Sequence, residues 1–289
     1  GLYESYGGVE GNGTGIVAFD KRTGTVRYRI TDELASYASP RLATIDQRDW
    51  CFMFCRGGLV AFHPATGQVD FQYPWRSAML ESVNASTPVV VGREVFISET
   101  YQIGSSLLSV QPDHPDRFTV KWRDERRSRD RAFLAHWNTP IYLDGQLYGC
   151  SGRNAPDAEM RCIDWDTGRV RWSVPTDSRA SLLYVDHHLI ALFEHGQLQL
   201  MKPNPDKYEV VSEVDLRRQE LASLPPGSPR PLPADPYWAA PILSHGLLYI
   251  RGNNEIVCLE VIPDGATRNP GPTPAETTTD AAGARAAEN

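Results

Sequence analysis

Ten side chains that could bind a ligand or transfer a proton lie in the irregular segments of this sequence. A glutamate beside a histidine can do acid–base chemistry, whereas converging acids, arginines and aromatics form a binding site for a polar ligand or peptide. Spacing alone does not bring Glu81 or Glu194 within reach of His136, so we expect binding and assign no catalytic residue and no metal ligand. The ten candidate ligand-binding residues are Glu81, Asn84, Glu99, Tyr101, His136, Asn138, Arg153, Glu194, Trp238 and Arg251.

Three of these residues have a structural alternative. Buried polar groups need hydrogen-bond partners, so Asn84, His136 and Asn138 could cap strand ends and join neighbouring elements. For any single residue this structural role is the expectation, and a site is expected only from the group together.

The elements that position these residues are β-hairpins that repeat along the chain. The clearest hairpin, residues 57–75, has two alternating runs around a turn in which Pro64 sets φ and Gly67 can take a positive φ. Residues 15–28 and 158–172 repeat this pattern, with an aromatic residue four positions after the turn glycine. Such alternation is typical of half-buried strands, and a lone hairpin needs neighbours to cover its apolar face.

A second two-strand unit precedes each hairpin and often opens at a proline, as at Thr87-Pro88 and Thr139-Pro140. Proline is tolerated there because the first residue of a strand need not donate to the ladder. The two units make a four-stranded antiparallel blade, and recurrence about every 40–50 residues predicts a β-propeller. The sequence thus predicts an all-β propeller in an incomplete ring, with about six blades present in whole or part: 1–30, 36–75, 84–124, 136–175, 180–215 and 237–263.

Propeller geometry sorts the loops into two faces. The Thr-Gly turns between third and fourth strands lie on one face, which we name the T-G face. Connections between blades, and turns between second and third strands, lie on the opposite, channel-mouth face. The candidate residues fall on the channel-mouth face, and several precede the innermost strands. We therefore expect the site at the mouth of the central channel.

The strings AFDKRTGTVRY, AFHPATGQVDF and CIDWDTGRVRW resemble the A-x-D-x-x-T-G-x-x-x-W repeat of the PQQ-like, or quinoprotein alcohol dehydrogenase-like, β-propellers. The resemblance covers roughly residues 1–263. It implies that the aromatic after the T-G turn docks between neighbouring blades; these aromatics are Tyr28, Phe71, Trp172 and, by a shift, Trp122. The repeat leaves the activity open, because the family includes dehydrogenases that carry PQQ and calcium, and members with neither. One of the latter is a subunit of the outer-membrane β-barrel assembly machinery.

Features of the quinone enzymes are not matched. No Cys-Cys pair occurs for their adjacent-cysteine disulfide ring, and neither the calcium motif nor the catalytic aspartate can be placed residue by residue. We expect no cofactor; PQQ and calcium belong to the alternative that the chain is part of a quinone-dependent dehydrogenase. A hydrolase or lyase that uses a Glu/His group at the channel mouth is the other alternative.

Composition excludes some partners and suggests where the chain is incomplete. A net charge of −7 gives no reason to expect nucleic acid, and no apolar run approaches the roughly 20 residues of a membrane span.

Because the chain begins at Gly1 within a repeat, we expect an N-terminally truncated or processed chain whose targeting segment is not visible. Residues 217–236 form a Pro-rich insertion, and residues 264–289 are expected to be a disordered tail.

Cys150 and Cys162 would face each other if residues 149–161 formed a symmetric hairpin, and could then form a disulfide in an oxidising compartment. The alternative is a pair of buried free thiols. The five cysteines lack the Cys-x-x-Cys spacing and the nearby histidines of a zinc site.

These observations predict a non-enzymatic, periplasmic or otherwise extracytoplasmic propeller. We expect it to bind or scaffold a protein, peptide or polar polymer through the channel-mouth face.

Overall fold

A computed structural model shows an all-β chain, as predicted. Its described residues form 21 strands in six antiparallel sheets, which are the blades of a propeller. No helix occurs in the described part of the chain, so none is present there that could cross a membrane. The residues that the structure describes are 13, 15–125, 130–154, 156–216, 235–253 and 255–262.

The sheets follow the chain, and each strand pairs with the next one in sequence. The first blade has β1 (Ile16–Phe19) and β2 (Val26–Ile30). Four complete blades follow: β3 (Arg41–Ile45), β4 (Arg48–Phe54), β5 (Gly58–Phe62), β6 (Val69–Pro74); β7 (Val89–Val91), β8 (Glu94–Glu99), β9 (Gly104–Val110), β10 (Phe118–Arg123); β11 (Ile141–Leu143), β12 (Gln146–Ser151), β13 (Glu159–Asp164), β14 (Val170–Pro175); β15 (Ala180–Val185), β16 (His188–Phe193), β17 (Gln197–Lys202), β18 (Glu209–Asp215). The sixth blade has β19 (Ile242–Ser244), β20 (Leu247–Arg251) and β21 (Ile256–Glu260).

The T-G turns are held by their own side chains. Asp20 Oδ1 accepts a hydrogen bond from the Thr23 N–H at 3.0 Å, and Asp164 Oδ1 accepts one from the Thr167 N–H at 2.9 Å. The glycine that closes the first turn, Gly24, has φ of +72°, which a residue with a Cβ adopts only at a cost. These turns therefore satisfy their polar groups without an outside partner.

The last strand of each of the first five blades contains a β-bulge just before the position of the expected aromatic. In the first blade Tyr28 pairs with Ala18 while Val26 pairs with Phe19, so Arg27 is an extra residue. The same shift recurs in the next four blades. The residues equivalent to Tyr28 are, in order, Phe71, Trp122, Trp172 and Ser212.

The aromatic residue of one blade contacts the next blade, which confirms the predicted docking. The Tyr28 hydroxyl donates to the Pro64 carbonyl at 2.6 Å, and the Trp122 indole N–H donates to the Trp165 carbonyl at 2.8 Å. The other two contacts are Trp172 Nε1–H to the Asn204 carbonyl at 2.8 Å, and the Phe71 ring against the Phe118 ring at 4.7 Å between centroids. Five apolar clusters fill the five junctions between successive blades.

The proposed disulfide is wrong. Cys150 pairs with Met160, whereas Cys162 pairs with Tyr148, so the two cysteines are diagonal neighbours and both are free. Gly149 pairs with Arg161, as in a symmetric hairpin over residues 149–161, but this register places Cys150 opposite Met160 and leaves Cys162 two residues further along β13. The predicted tail lies outside the described residues, as does the insertion apart from residues 235 and 236.

Candidate functional site at the channel mouth

The first strands of the complete blades, β3, β7, β11 and β15, contact one another in that order and line the central axis. The connections leading into them enclose a groove of about 400 Å³, which we name the channel-mouth groove. Its lining residues are Tyr37, Val83, Ala85, His136, Trp137, Thr139, Ser181, Leu182, Trp238 and Ala240. Two predicted residues, His136 and Trp238, are therefore on its wall.

Four of the lining residues occupy one equivalent position in four blades. Each lies three residues before the proline that precedes or opens an inner strand: Tyr37, Ala85, Trp137 and Trp238. Tyr37 is 77 % exposed and Trp238 is 56 % exposed, which is unusual for large aromatic side chains. The aromatic-x-x-Pro spacing was present in the sequence and could have identified Tyr37 and Trp137, which sequence reasoning missed.

Tyr101, His136, Arg153 and Glu81 form one polar cluster beside the groove. The Tyr101 hydroxyl and His136 Nε2 share a hydrogen bond of 3.1 Å. The Arg153 guanidinium lies over the Tyr101 ring, 4.5 Å from its centroid, and its Nη2 is 3.9 Å from Glu81 Oε1. Both partners of that ion pair are well exposed, so it contributes little to stability.

His136 is neutral at physiological pH. Burial, together with the positive charges of Arg179 and Arg153, lowers its pKa to about 4, against the opposing effect of Glu194. Its Nε2 partner is a phenol rather than a carboxylate, and its Nδ1 is buried without a hydrogen-bond partner. This arrangement does not form the acid–base pair of glutamate and histidine that a hydrolase or lyase would need.

Glu194 organises a second cluster with Arg179 and Trp238. Its Oε1 lies 2.5 Å from Arg179 Nη2 and accepts the Trp238 indole N–H at 2.7 Å, while its Oε2 accepts Arg179 Nε–H at 2.9 Å. The Arg179 guanidinium also lies 5.5 Å from the ring centroid of Trp137. Burial alone would raise the pKa of Glu194, but the hydrogen bonds from Arg179 and Trp238 hold it below its usual value.

This second cluster fixes the groove wall. Trp238 is exposed on one face, yet its indole N–H is tied to a buried carboxylate, so the ring is pre-positioned. Sequence reasoning missed Arg179, because the fifth blade lacks the proline that precedes β3, β7, β11 and β19.

Glu99 is buried rather than presented to a ligand, with 1 % of its surface exposed. Its Oε2 accepts the Ser77 N–H at 3.1 Å, and no donor among the described residues reaches Oε1. Burial raises the pKa of Glu99 to about 8, although the Ser77 hydrogen bond and the charge of Arg76 act in the opposite direction. Glu99 therefore anchors the connection at Ser77 and is largely protonated at neutral pH.

Asn84 and Asn138 are buried and have the structural role given above as the alternative. Asn84 Nδ2 donates to the carbonyls of Cys55 at 2.7 Å and Trp75 at 3.1 Å. Asn138 Nδ2 donates to the Cys150 carbonyl, and its Oδ1 accepts the His136 N–H at 3.3 Å. Asn84 joins the segment before β7 to the end of β4, and Asn138 joins the segment before β11 to β12. These contacts explain why both amides lie at this face.

Arg251 is the candidate that the structure separates from the groove. It ends β20 on the exposed side of the sixth blade and is not among the groove-lining residues.

The T-G face also has a cleft. Its volume is about 300 Å³, and it lies between turns of the fourth and fifth blades, where Arg171 Nη2 is 3.1 Å from Asp206 Oδ1.

The residues at the mouth do not fit a calcium–quinone site. Calcium takes six to eight oxygen ligands, usually including several carboxylates. The three glutamates are each engaged elsewhere: Glu81 with Arg153, Glu99 with the Ser77 N–H, and Glu194 with Arg179 and Trp238. Over the described ranges, no three His, Cys, Asp or Glu side chains form a group that could hold a metal ion.

Fold and groove together define a PQQ-like β-propeller, as the resemblance implied. The family model described as outer membrane protein assembly factor BamB matches residues 7–174, and the chain belongs to this family. No curated protein matches the sequence.

Solved structures share the fold at low sequence identity. BamB from Moraxella catarrhalis is 12 % identical with a TM-score of 0.59, over 84 % of this chain and 65 % of that one. The computationally designed Ika8 protein is 10 % identical with a TM-score of 0.52, over 83 % and 63 %. Quinohemoprotein alcohol dehydrogenase from Comamonas testosteroni is 14 % identical with a TM-score of 0.52, over 84 % and 49 %. The chain thus spans less than two thirds of the structures it resembles.

Proposed function

We propose that this chain is a non-enzymatic scaffold that binds a partner protein through the channel-mouth face. The family is described as an outer membrane protein assembly factor, which supports a protein partner and an extracytoplasmic location. Fold alone does not decide between scaffold and dehydrogenase, because structures of both kinds share it.

The observation that carries the proposal is the aromatic wall of the channel-mouth groove. Exposed aromatic residues are enriched at protein interfaces, and Tyr37 and Trp238 lie exposed on one groove. The buried Arg179–Glu194 pair holds Trp238 in place, and pre-positioned side chains bind with a smaller entropy loss.

Site-specific photo-crosslinking in the native host tests the proposal. A photo-reactive amino acid at position 37 samples the channel-mouth groove. The same amino acid at position 184 is the matched control, because Tyr184 is an exposed aromatic beside the turn between β15 and β16 at the T-G face. We expect a discrete crosslinked protein from position 37 and none from position 184. Crosslinks only from position 184, or from neither position, would overturn the proposal.

A further inference from the structure

We propose that the channel-mouth groove binds an extended, acidic segment of the partner: one aromatic or large aliphatic side chain enters between Tyr37 and Trp238, and a nearby carboxylate pairs with Arg153. The inference rests on the proposed function and adds the chemistry of the segment that is recognised. It is carried by the shape of the groove and by the charges around it.

The groove suits a side chain with an apolar body. Its volume of about 400 Å³ falls in the range of small-ligand pockets. Val83, Ala85 and Leu182 lie among the three aromatic rings of its wall. Ala85 occupies the position that an aromatic residue takes in three other blades, so this side of the groove has room for a ring from outside.

Charge at the groove favours an acidic partner segment. Three charged groups act on His136 in the groove wall: Arg179, Arg153 and Glu194. Arg179 and Glu194 neutralise each other in a bidentate pair, and His136 itself is uncharged. Arg153 is therefore the positive charge next to the groove that has no close partner, since its own ion pair, with Glu81, is long at 3.9 Å.

Arg153 is also positioned to exchange its partner. Its ion pair with Glu81 is long, at 3.9 Å, and both side chains are open to solvent. Its guanidinium is held over the Tyr101 ring, whose hydroxyl reaches His136 on the groove wall. A carboxylate from a bound segment can thus replace Glu81 at little cost, beside the wall of the groove.

A selection for peptides tests this chemistry without assuming a partner. Random heptapeptides displayed on phage are selected on the 289-residue chain, with the Trp238→Ala protein for counter-selection. We expect enriched peptides to carry an aromatic or large aliphatic residue within two or three positions of Asp or Glu. Enrichment that is equal on the Trp238→Ala protein, or peptides without acids, would overturn the inference.

A binding cycle then tests the carboxylate contact. The best peptide and its counterpart with amide in place of acid are titrated by fluorescence anisotropy. The amide peptide is expected to bind the wild-type protein about fivefold more weakly than the acid peptide. This difference in affinity should disappear with Arg153→Ala. It should remain with the control variants Arg169→Ala and Tyr184→Ala. Trp238→Ala is expected to weaken both peptides about tenfold or more. An unchanged acid-to-amide ratio in Arg153→Ala would overturn the pairing.

The two proposals fail in different ways. Crosslinking from position 37 together with a negative peptide cycle would remove only the acidic-segment inference. Absence of both crosslink and enriched peptide would remove the proposed function as well.

Discussion

The Glu194 carboxylate accepts the Trp238 indole N–H at 2.7 Å although the two residues lie 44 positions apart in the chain. The same carboxylate holds Arg179, which precedes the fifth blade. One buried acid therefore links the connections into the fifth and sixth blades, and it sets the wall of the groove at the point where they meet.

Glu194→Gln is expected to lower the free energy of unfolding by about 3 kcal/mol, because it leaves the Arg179 charge without its buried partner. Arg179→Met should relieve part of this loss in the double variant. Because the folded pKa of Glu194 is lowered, its contribution in wild type is present above the usual glutamate pKa and is lost as pH falls through the lowered value. Urea unfolding of the four proteins at neutral and acidic pH measures both effects. Additive losses in the double variant would show that the pair does not interact.

Glu99→Gln, unlike Glu194→Gln, is expected to raise the free energy of unfolding at alkaline pH. The folded pKa of about 8 lies above the ordinary value of 4.5, so between these values the folded protein keeps a proton that the unfolded chain loses. Stability therefore falls as pH rises across this window. The glutamine still accepts the Ser77 N–H and never ionises, so it should stabilise the protein at pH 9 by on the order of 3 kcal/mol and leave it unchanged at pH 4. Unfolding curves that stay parallel to wild type from pH 4 to pH 9 would contradict this.

Alanine substitutions at two turn glycines, Gly24 and Gly168, can measure how tightly Trp122 packs on the next T-G turn. Gly24 and Gly168 have nearly the same φ, +72° and +69°. A Cβ at Gly24 would meet no atom within 4 Å, whereas one at Gly168 would lie 2.9 Å from Trp122 Cε3. Gly24→Ala should cost about 1–2 kcal/mol of left-handed strain, and Gly168→Ala about 1–2 kcal/mol more through the displaced ring. Thermal and urea unfolding compare the two, and equal losses would show that the indole does not pack tightly on the turn.

The cysteines give a chemical test of the β12–β13 register. Cys51, Cys55, Cys150 and Cys162 are buried and free, and Cys258 is exposed. Burial raises the pKa of Cys150 and Cys162 to about 11, which suppresses the reactive thiolate further. Alkylation followed by mass spectrometry should label one thiol in the native protein and five after denaturation without reductant. Three labels after denaturation would restore the Cys150–Cys162 disulfide.

The blades and turns could be predicted from sequence because their signals are local. Asp20, Thr23 and Gly24 interact within one turn, and the alternation around them fixes which side chains face the core. The docking of Tyr28 and Trp172 followed from the same repeat. Trp122 departs from the simple pattern because the turn between β9 and β10 contains no glycine and is longer than the T-G turns.

The site could be predicted only in part because its contacts cross between blades. His136 and Trp238 lie on the groove, but the sequence does not show that Glu194 binds Arg179 and Trp238, or that Tyr101 meets His136. The sequence also does not show which candidate acids are buried. Glu81 is exposed and Glu99 is buried, although both were candidate ligand-binding residues. The Cys150–Cys162 pairing was wrong for a different reason: pairing of Gly149 with Arg161 places Cys150 opposite Met160, so the two cysteines are two positions out of register.

The residue equivalent to Tyr28 in the fifth blade is Ser212, which is exposed. Among the described blades, this is the one fourth strand that sends no aromatic ring into its neighbour. The sixth blade is thus attached by apolar side chains that include Tyr237, and by hydrogen bonds to Glu194 from the Tyr237 N–H, at 2.9 Å to its carbonyl, and from the Trp238 indole. In an array of units that contact only their neighbours, separation starts at the weakest junction. The same short contact that orients Trp238 therefore also ties the sixth blade to the fifth.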